Sequence, residues 1–496
     1  MFQMPAPLVL TPTNGEDYPA DWLLVGIWEN AALPANINSR LGGVLTRLKE
    51  SGDLTGRALE LVPILTPTGI PAKRVLVVGL GSFVDANRQR FVDAAAVATR
   101  YATGRKWDRI GFLLPSDLTG PRRDAAVLGT ATGLMQGSTG PGIRKSELTR
   151  HMPGELAVLL SGSETPPAEA IWKRARTEAR AVSLARELVN LPPCDLYPET
   201  FAQRVQENAS EFNIECTIWD ESMLKAERMN AILGVARGSE RPPRLAILRY
   251  RHAPSSKTLA IVGKGVTFDS GGLSLKTNEQ MLDMKCDMAG AAAAFAATLA
   301  IADLRLPINL ITLMPLVENM PGGRALKLGD VLKSRSGKTI EILNTDAEGR
   351  VILADALAYA VEQKATHIVD LATLTGACLV ALGSEVAGLM SNHNEWSDSV
   401  RLASKESGEK VWPLPMDAHY GDFLHSAVAD LKNAPGTRYG GAITAAKFLE
   451  QFVGSTAWAH LDIAGPAWAE RESPTRDSGG TGFGVRLLVE LAHRFQ

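Results

Sequence analysis

The chain has 496 residues, of which 45% are apolar and 21% are charged. This length predicts two or three domains at about 150 residues each, and the composition excludes a disordered or collagen-like chain. The 52 basic and 54 acidic residues leave a net charge of −2, so no general positive field draws the protein to nucleic acid or to an anionic membrane. Only a local basic patch stays open as a nucleic-acid contact.

Cysteine usage and the apolar segments predict a soluble cytoplasmic protein. No two cysteines form a C-x-x-C pair, which argues against a zinc ribbon or a thioredoxin-like site; the four are Cys194, Cys216, Cys286 and Cys378. Isolated thiols are typical of a reducing compartment. The N-terminal segment has no basic start before an apolar core, unlike a secretory signal. The longest apolar run, Met288 to Ala302, is too short and too rich in alanine for a membrane span.

Residues 1–165 alternate short apolar runs with a helical pattern. The predicted strands are 74–82, 109–117 and 155–163, with a helix over 91–103. This alternation predicts an α/β domain with a parallel core. Residues 166–190 then carry an apolar stripe of helical period between two proline pairs, which predicts a long connecting helix.

Residues 191–496 repeat the alternation on a larger scale. The predicted strands are 244–250, 258–265, 308–316, 338–343, 366–374 and 456–464, and the predicted helices are 288–302, 351–363, 442–453 and 483–494. The pattern predicts a second, larger α/β domain. The length therefore divides into two α/β domains joined by a helix, without an internal repeat.

Charged residues gather at three places in the second domain. One cluster runs from Lys264 to Lys276 through Asp269 and a Gly271-Gly272 pair, directly after a predicted strand. A second contains Asp283, Lys285 and Asp287 before the alanine-rich helix, and a third spans residues 344–350 after another strand. In an open α/β sheet, binding sites form at the carboxyl ends of the strands.

Each cluster alone has an ordinary structural explanation. Asp346 and Glu348 suit a helix N-terminus, where carboxylates are favoured, and the Gly271-Gly272 segment suits a turn. The glycine pair could also hold an anion through backbone N–H groups. The P-loop spacing G-x-x-x-x-G-K-[ST] is missing, which disfavours a nucleotide phosphate.

Taken together, the clusters indicate a metal site. Asp269, Asp287, Asp346 and Glu348 supply four negative charges, which two divalent cations would balance in a binuclear centre. No histidine lies in any cluster, although zinc sites usually recruit histidine or cysteine. An oxygen-rich site suits Mn²⁺ or Mg²⁺ as well, so the metal identity stays open.

Five segments, in the same chain order, resemble the leucyl aminopeptidase (cytosol aminopeptidase) family of the M17 type. They are V-G-K-G-V-T-F-D-S-G-G-L-S-L-K at 262–276, M-x-x-D-M at 284–288, N-T-D-A-E-G-R at 344–350, D-L-A-T-L-T-G-A at 370–377 and A-H-L-D-I-A-G-P-A-W at 459–468. The resemblance is strong from about Leu188 to the C-terminus and rests only on size and α/β pattern before that. It implies a macrodomain-like N-terminal domain and a catalytic domain with a mixed sheet.

The resemblance also implies a metal-dependent aminopeptidase that releases leucine or another apolar residue from a free peptide N-terminus. Two divalent ions, with Mn²⁺ or Zn²⁺ expected, would share Asp269 and Glu348; one would add Asp346, and the other Lys264 and Asp287. Lysine binds a metal only as the neutral amine, so the cations should lower the pKa of Lys264.

The resemblance assigns the remaining roles by position. Lys276 would stabilise the developing oxyanion, and Arg350 would hold a bicarbonate that acts as general base. The substrate would contact Met284, Thr373, Leu374 and Gly376, with the Leu374 carbonyl accepting from the nucleophilic water or the substrate amine. Family members are homohexamers, so we expect the same assembly here.

Small departures from the family and competing functions remain. Cys286 and Ala289 replace residues that are commoner in the family, which leaves substrate preference and local packing open.

Gly79-Leu80-Gly81 lacks the third glycine of a dinucleotide site, so a tight turn is favoured. Basic residues at 122–123 and 173–180 are more simply explained as a solvated face than as a nucleic-acid site. A two-metal phosphatase or nuclease would need no lysine ligand and no pocket for a free amine.

Overall fold

Two groups of α/β elements make up the structure, a computed structural model that describes residues 8–140, 144–160, 169–254, 256–437 and 439–495. The N-terminal unit comprises Met1–Ser183 with Arg471–Ser478, and the C-terminal unit comprises Leu184–Glu470 with Gly479–Gln496. The predicted two-domain α/β fold is confirmed at this level.

The N-terminal unit contains a six-stranded sheet in the order β1-β6-β5-β2-β4-β3. Its elements are β1 Leu8–Asn14, β2 Trp22–Ile27, α1 Ala35–Arg40, α2 Val44–Glu50, β3 Leu61–Ile64, β4 Val75–Gly79, α3 Arg88–Ala102, β5 Arg109–Leu113, α4 Gly120–Ser138, β6 Glu155–Leu160 and the start of α5 Glu169–Asn190. All pairs in this sheet are parallel except the antiparallel edge pair β3–β4. The predicted parallel core is therefore present, with one antiparallel strand added at the edge.

Helices α3 and α4 approach each other closely because three glycines of α4 leave no side chain between them. A Cβ on Gly129, Gly133 or Gly137 would lie 2.4, 2.3 or 2.6 Å from a backbone oxygen of α3. The four-residue spacing puts all three glycines on one face of the helix. Alanine at these positions would push the two helices apart.

The C-terminal unit is built on a mixed sheet in the order β16-β15-β18-β14-β9-β11-β8-β7, with β10 also paired to β11. Its elements after α5 are α6 Pro198–Glu211, β7 Glu215–Trp219, α7 Glu221–Ala226, α8 Asn230–Ala236, β8 Arg244–Arg251, β9 Leu259–Gly263, β10 Gly265–Asp269, α9 Asn278–Met281, α10 Ala289–Asp303, β11 Asn309–Asn319, β12 Val331–Lys333, β13 Thr339–Glu341, α11 Glu348–Glu362, β14 His367–Ala372, α12 Gly376–Leu382, β15 Ala387–Ser391, α13 Asn394–Ser407, β16 Val411–Pro413, β17 Leu431–Lys432, α14 Gly441–Glu450, β18 Ala457–Asp462, β19 Trp468–Ala469, β20 Gly479–Gly480 and α15 Val485–Arg494.

The parallel strands β9, β14 and β18 bring their carboxyl ends to one edge of this sheet. Gly263 at the end of β9 is in register with Leu371 of β14, and Ala372 is in register with Asp462 of β18. β10 runs parallel to β11, which puts Asp269 beside Asn319. Residues that follow these strands therefore meet at one place, although they are far apart in the chain.

Helix α10 lies inside the C-terminal unit. With the preceding turn it forms the segment Met284–Asp303, which is long and apolar enough to cross a membrane by length and composition, yet 94% of its most apolar 18-residue stretch is buried within the protein. Only Asp303 of α10 is not buried. The alanine-rich composition of this segment is thus explained by close packing on all sides of a core helix.

Most predicted elements coincide with observed ones. The predicted helix over 351–363 corresponds to α11 and begins three residues earlier, at Glu348. The sequence patterns did not predict β2, which is one of the two central strands of the N-terminal sheet, nor helices α4 and α6. The predicted domain boundary at 165–166 lies outside the described residues, and the division between the two units falls within α5. The predicted boundaries stay a prediction.

A buried carboxylate joins α11 to α8. Asp355 accepts hydrogen bonds from the backbone N–H groups of Ala231 (2.9 Å), Ile232 (3.1 Å) and Arg335 (2.7 Å), while burial raises the pKa of Asp355 to about 7. Asp355→Ala should lower the free energy of unfolding by at least about 2 kcal/mol, because three buried donors lose their acceptor. Denaturant unfolding measures this loss. Asp398→Ala, which removes only an exposed ion pair with Arg401, should change it by less than about 0.5 kcal/mol; equal losses would contradict the assignment.

Candidate active site

Lys264 lies buried at the junction of β9 and β10 and collects acceptors from three other segments. Its ammonium donates to Asp287 Oδ1 at 2.7 Å and to the Thr373 carbonyl at 3.0 Å. Glu348 Oε1 lies 2.9 Å from the same nitrogen. The first and third charged clusters of the sequence, and Asp287 of the second, are therefore brought together around one amine.

A second lysine spans the more open side of the cluster. Lys276 Nζ donates to Asp269 Oδ2 at 2.6 Å and also forms an ion pair with Asp346 Oδ1. Carboxylate oxygens of Asp269, Asp346 and Glu348 all lie within 4.8 Å of one another. Asp269 and Glu348 are buried, whereas Asp346 is exposed.

The glycine-rich turn after β10 folds back onto the third cluster. Gly271 and Gly272 have φ values of +83° and +64°, which favour glycine because they lie in the left-handed region. Asp269 Oδ1 accepts from the Gly271 N–H at 2.8 Å. Thr345 Oγ1 donates to the Gly271 carbonyl at 2.7 Å. The turn and the 344–350 segment are thus joined directly.

Gly349 explains how α11 can begin beside Lys264. A Cβ on Gly349 would lie 2.5 Å from Cε and 2.7 Å from Nζ of Lys264, both far inside van der Waals contact. The glycine in the sequence E-G-R therefore provides room for a side chain from another strand.

Burial, followed by the crowding of like charges, raises the pKa values of the carboxylates in the site. Burial and the neighbouring carboxylates of Asp269 and Glu348 raise the pKa of Asp287 well above its usual range. Burial and Asp269 likewise raise the pKa values of Glu348 and Asp346. Burial favours the neutral amine of Lys264, but Asp287, Glu348 and Asp269 outweigh it and raise the pKa of this lysine. Added positive charge would therefore stabilise the ionised form of the carboxylates in this cluster.

The donor set fits divalent cations. Asp287 Oδ2 and Glu348 Oε2 are buried and have no hydrogen-bond partner among the described residues, which is costly for a carboxylate oxygen. Both atoms belong to the acidic cluster, and hard oxygen donors of this kind suit Mn²⁺ or Mg²⁺. The residues present are thus compatible with the metal centre inferred from the sequence.

Arg350 is a buried cation that could bind an anion. Its Nη1 donates to the Asn433 carbonyl at 3.0 Å, whereas its buried Nε has no partner among the residues described. Burial lowers the pKa of Arg350 to about 10. A buried guanidinium with an unused donor suits a small oxyanion such as bicarbonate.

The four predicted substrate residues lie on two segments next to the cluster. Thr373 Oγ1 donates to Asp287 Oδ1 at 2.7 Å, and the Leu374 N–H donates to Asp462 Oδ1 at 3.2 Å. Gly376 begins α12 and is exposed, with no described atom within 4 Å of a Cβ built on it. Met284 begins the 3₁₀ turn that carries Asp287.

Sequence reasoning missed three residues that organise the site. Asn319 donates to Asp269 Oδ1 at 2.8 Å, Asp462 accepts from the loop after β14, and Asn433 contacts the 344–350 segment. Asn319 and Asp462 end β11 and β18, so the same strand-end criterion could have found them. Asn433 has no comparable local signal.

Cys286 lies within this region but is not an ionised thiol. It is buried, and burial together with Asp287 and Asp283 raises the pKa of its thiol. Cys286 therefore acts as a small, neutral side chain next to Asp287.

Comparisons with known proteins identify the family of the chain. Residues 183–489 match the catalytic domain of the cytosol aminopeptidase family, and residues 24–138 match the N-terminal domain of the same family. The chain belongs to the cytosol aminopeptidase family. It is therefore an aminopeptidase, as the motifs predicted.

Curated relatives of this family align over nearly the whole chain. A probable cytosol aminopeptidase of Rhodopirellula baltica is 43% identical over 93% of this chain and 89% of the relative. A probable cytosol aminopeptidase of a Geobacter species is 42% identical over 98% of this chain and 99% of the relative.

Two solved structures have the same fold. A mutant of tomato leucine aminopeptidase superposes with a TM-score of 0.88 and 34% identity, covering 100% of this chain and 98% of the other. The bottromycin maturation enzyme BotP in complex with Mn gives a TM-score of 0.85 and 35% identity, covering 96% of this chain and 99% of the other. The predicted mixed-sheet catalytic domain is thus confirmed.

The contact at Gly349 can be tested directly. Gly349→Ala should lower the kcat/KM for aminoacyl anilides by about 100-fold, because the methyl group displaces the Lys264 side chain from Asp287 and Glu348. Steady-state kinetics and circular dichroism measure activity and folding. Gly323→Ala is the control, since a Cβ there meets no described atom within 4 Å. Unchanged kcat/KM in Gly349→Ala would show that Lys264 does not need this position.

Proposed function

We propose that this aminopeptidase uses two divalent metal ions, Mn²⁺ or Zn²⁺, to release N-terminal leucine or other apolar residues from peptides. The observation that carries the proposal is the meeting of Asp269, Asp346 and Glu348 within 4.8 Å, with the buried Glu348 Oε2 and Asp287 Oδ2 unpaired among the described residues. The Mn-containing BotP structure supports a metal in this family.

The proposed ligands divide into two overlapping sets. Asp269, Asp346 and Glu348 would hold one ion, with the Asp346 carbonyl as a further donor, and Lys264, Asp269, Asp287 and Glu348 would hold the other. Such ions supply Lewis acidity and lower the pKa of a bound water. Lys264 would bind the metal as the neutral amine. A cation bound among the carboxylates around Lys264 would neutralise the negative charge that now raises the pKa of this lysine.

Lys276 and Arg350 would act on the reacting groups. Lys276 would stay cationic, because it is not one of the proposed metal ligands and so no metal–nitrogen bond favours its neutral amine; it donates to Asp269 Oδ2 at 2.6 Å and pairs with Asp346. It can therefore stabilise the negative charge that develops on the attacked carbonyl oxygen. Arg350 would hold bicarbonate through its unused Nε, and bicarbonate bound there would supply general acid–base chemistry.

Substrate selection would follow from the edge of the sheet beside the metals. Met284, Thr373 and Gly376 would shape the pocket for the first side chain, where the open space at Gly376 admits an apolar group. The Leu374 carbonyl would accept from the attacking water or the substrate amine. A requirement for the free α-amine would restrict cleavage to the first peptide bond.

Assembly and location are part of the same proposal. The resemblance to the family supports a cytoplasmic homohexamer, and the names of the curated relatives agree with a cytosolic location. Its ligands would be peptides with a free N-terminus; neither a membrane nor nucleic acid is proposed as a partner, in keeping with the net charge of −2.

A substrate series tests the reaction class. Leucine anilide should be hydrolysed, whereas N-acetyl-leucine anilide and an aryl phosphate ester should not, because the site requires a free α-amine and an acyl carbon. Release of the aniline or phenol is followed spectroscopically. Equal turnover of the acetylated compound would refute the exopeptidase mechanism, and turnover of the phosphate ester would indicate a two-metal phosphatase.

Variants of the acidic cluster test the metal site. Asp346→Ala and Glu348→Gln should each lower kcat/KM by at least about 1,000-fold, or about 4 kcal/mol of transition-state stabilisation, without unfolding the protein. Titrating the metal-free protein with Mn²⁺, Zn²⁺, Co²⁺ and Mg²⁺ by calorimetry should show fewer bound ions in both variants. Asp398→Ala, at an exposed ion pair, should match the parent. Full activity or unchanged metal stoichiometry in either cluster variant would refute the assignment.

A further inference from the structure

Asn433 is a fully buried amide that lies outside all three charged clusters of the sequence. It follows β17, which pairs in parallel with β13, and its backbone N–H donates to the Glu341 carbonyl at 2.9 Å. Its side chain therefore projects from a strand that runs alongside the start of the catalytic loop, which we define as residues 342–347 between β13 and α11.

Both ends of the Asn433 amide bind the backbone of the catalytic loop. Oδ1 accepts from the N–H groups of Leu343 at 2.9 Å and Asn344 at 3.3 Å. Nδ2 donates to the carbonyls of Asn344 at 2.6 Å and Ala347 at 3.3 Å. All four hydrogen-bonding positions of the amide are thus used on one loop.

The backbone of the same residue also holds Arg350. The Asn433 carbonyl accepts from Arg350 Nη1 at 3.0 Å. The Arg350 guanidinium makes this hydrogen bond among the described residues, and its buried Nε has no partner there. One residue therefore contacts both the loop that carries Asp346 and leads into Glu348 and the side chain proposed to bind bicarbonate.

The side-chain amide of asparagine suits this position because it offers both donors and acceptors to the loop backbone. The catalytic loop has irregular backbone, so its buried N–H and C=O groups need partners from outside the loop. A carboxylate would accept but could not donate, and an alanine would do neither. Only a side-chain amide of this length offers donors and acceptors together at the observed spacing.

We propose that Asn433 is a positioning residue for the aminopeptidase reaction, which holds the catalytic loop and Arg350 in their working arrangement without contacting the substrate. This inference rests on the proposed roles of Asp346, Glu348 and Arg350. Small displacements of such groups are costly, since a misplacement of about 1 Å can reduce a rate about 100-fold.

Two substitutions test the proposal. Asn433→Ala removes all four side-chain hydrogen bonds, and Asn433→Asp keeps the two acceptors while losing both donors. We expect kcat/KM for leucine anilide to fall about 100-fold in Asn433→Ala and at least about tenfold in Asn433→Asp, mainly through kcat. Hydrogen exchange should accelerate in a peptide covering 342–350 and stay unchanged in the β14 strand.

Asn392, an exposed asparagine away from the catalytic loop, provides a control. Its amide also accepts from one backbone N–H, that of Trp458 at 2.9 Å, and donates to one carbonyl, that of Thr456 at 3.0 Å, but none of these groups belongs to the catalytic loop. Asn392→Ala should retain parental kcat and parental exchange at 342–350. Parental kcat or parental exchange at 342–350 in Asn433→Ala, measured well below the thermal midpoint of each variant, would overturn the proposal.

A double-mutant cycle separates this inference from the proposed function. Because Asn433 would act partly through Arg350, the losses of Asn433→Ala and Arg350→Ala should not multiply in the double variant. Fully multiplicative losses would overturn the coupling of Asn433 to Arg350. Full activity of Arg350→Ala, Asp346→Ala and Glu348→Gln would instead reject the proposed function itself.

Discussion

Concentrated negative charge at the carboxyl edge of a buried sheet is the constraint on which the C-terminal unit depends. Among the described residues, the four carboxylates of the cluster have two lysines, Lys264 and Lys276, as ion-pair partners; the carboxylates are those of Asp269, Asp287, Asp346 and Glu348. Four carboxylates against two ammonium groups leave a local excess of two negative charges, which a low-dielectric environment makes costly. This imbalance is the basis for the metal site that we propose, and it is not apparent from the net charge of −2 for the whole chain.

The surrounding fold keeps these charges from separating. Parallel strands end together, so the β9–β10 junction, the 3₁₀ turn before α10 and the loop after β14 all meet at Lys264. Gly349 leaves space for the lysine, and the side-chain amides of Asn319 and Asn433 donate to the Thr345 and Asn344 carbonyls of the catalytic loop. A buried polar network of this kind defines one arrangement only when nearly every member is satisfied.

The charged residues that meet in the cluster could be named from the sequence, whereas the residues that hold the surrounding backbone could not. Charged residues at strand ends and the N-T-D-A-E-G-R segment identify Asp346, Glu348 and Arg350, because these positions combine unusual chemistry with a recognisable order. No sequence pattern predicts a role for Asn433, because an asparagine that follows a two-residue strand has neither a charge nor a place in a periodic pattern. Likewise β2, one of the two central strands of the N-terminal sheet, reads as a short apolar run whose place in the sheet depends on pairing partners more than 50 residues away in the chain.

By itself, the sequence determined the α/β class, the family and the chemical types gathered in the site, because strand periodicity, glycine positions and motif order are local properties of the chain. Only the tertiary structure decided that Lys264 lies 2.7 Å from Asp287 and 2.9 Å from Glu348, that two carboxylate oxygens lie buried without a partner among the described residues, and that Asn433 holds the catalytic loop. Distances between distant residues follow from strand register and side-chain packing. The physical reason is that charges interact through space rather than along the chain.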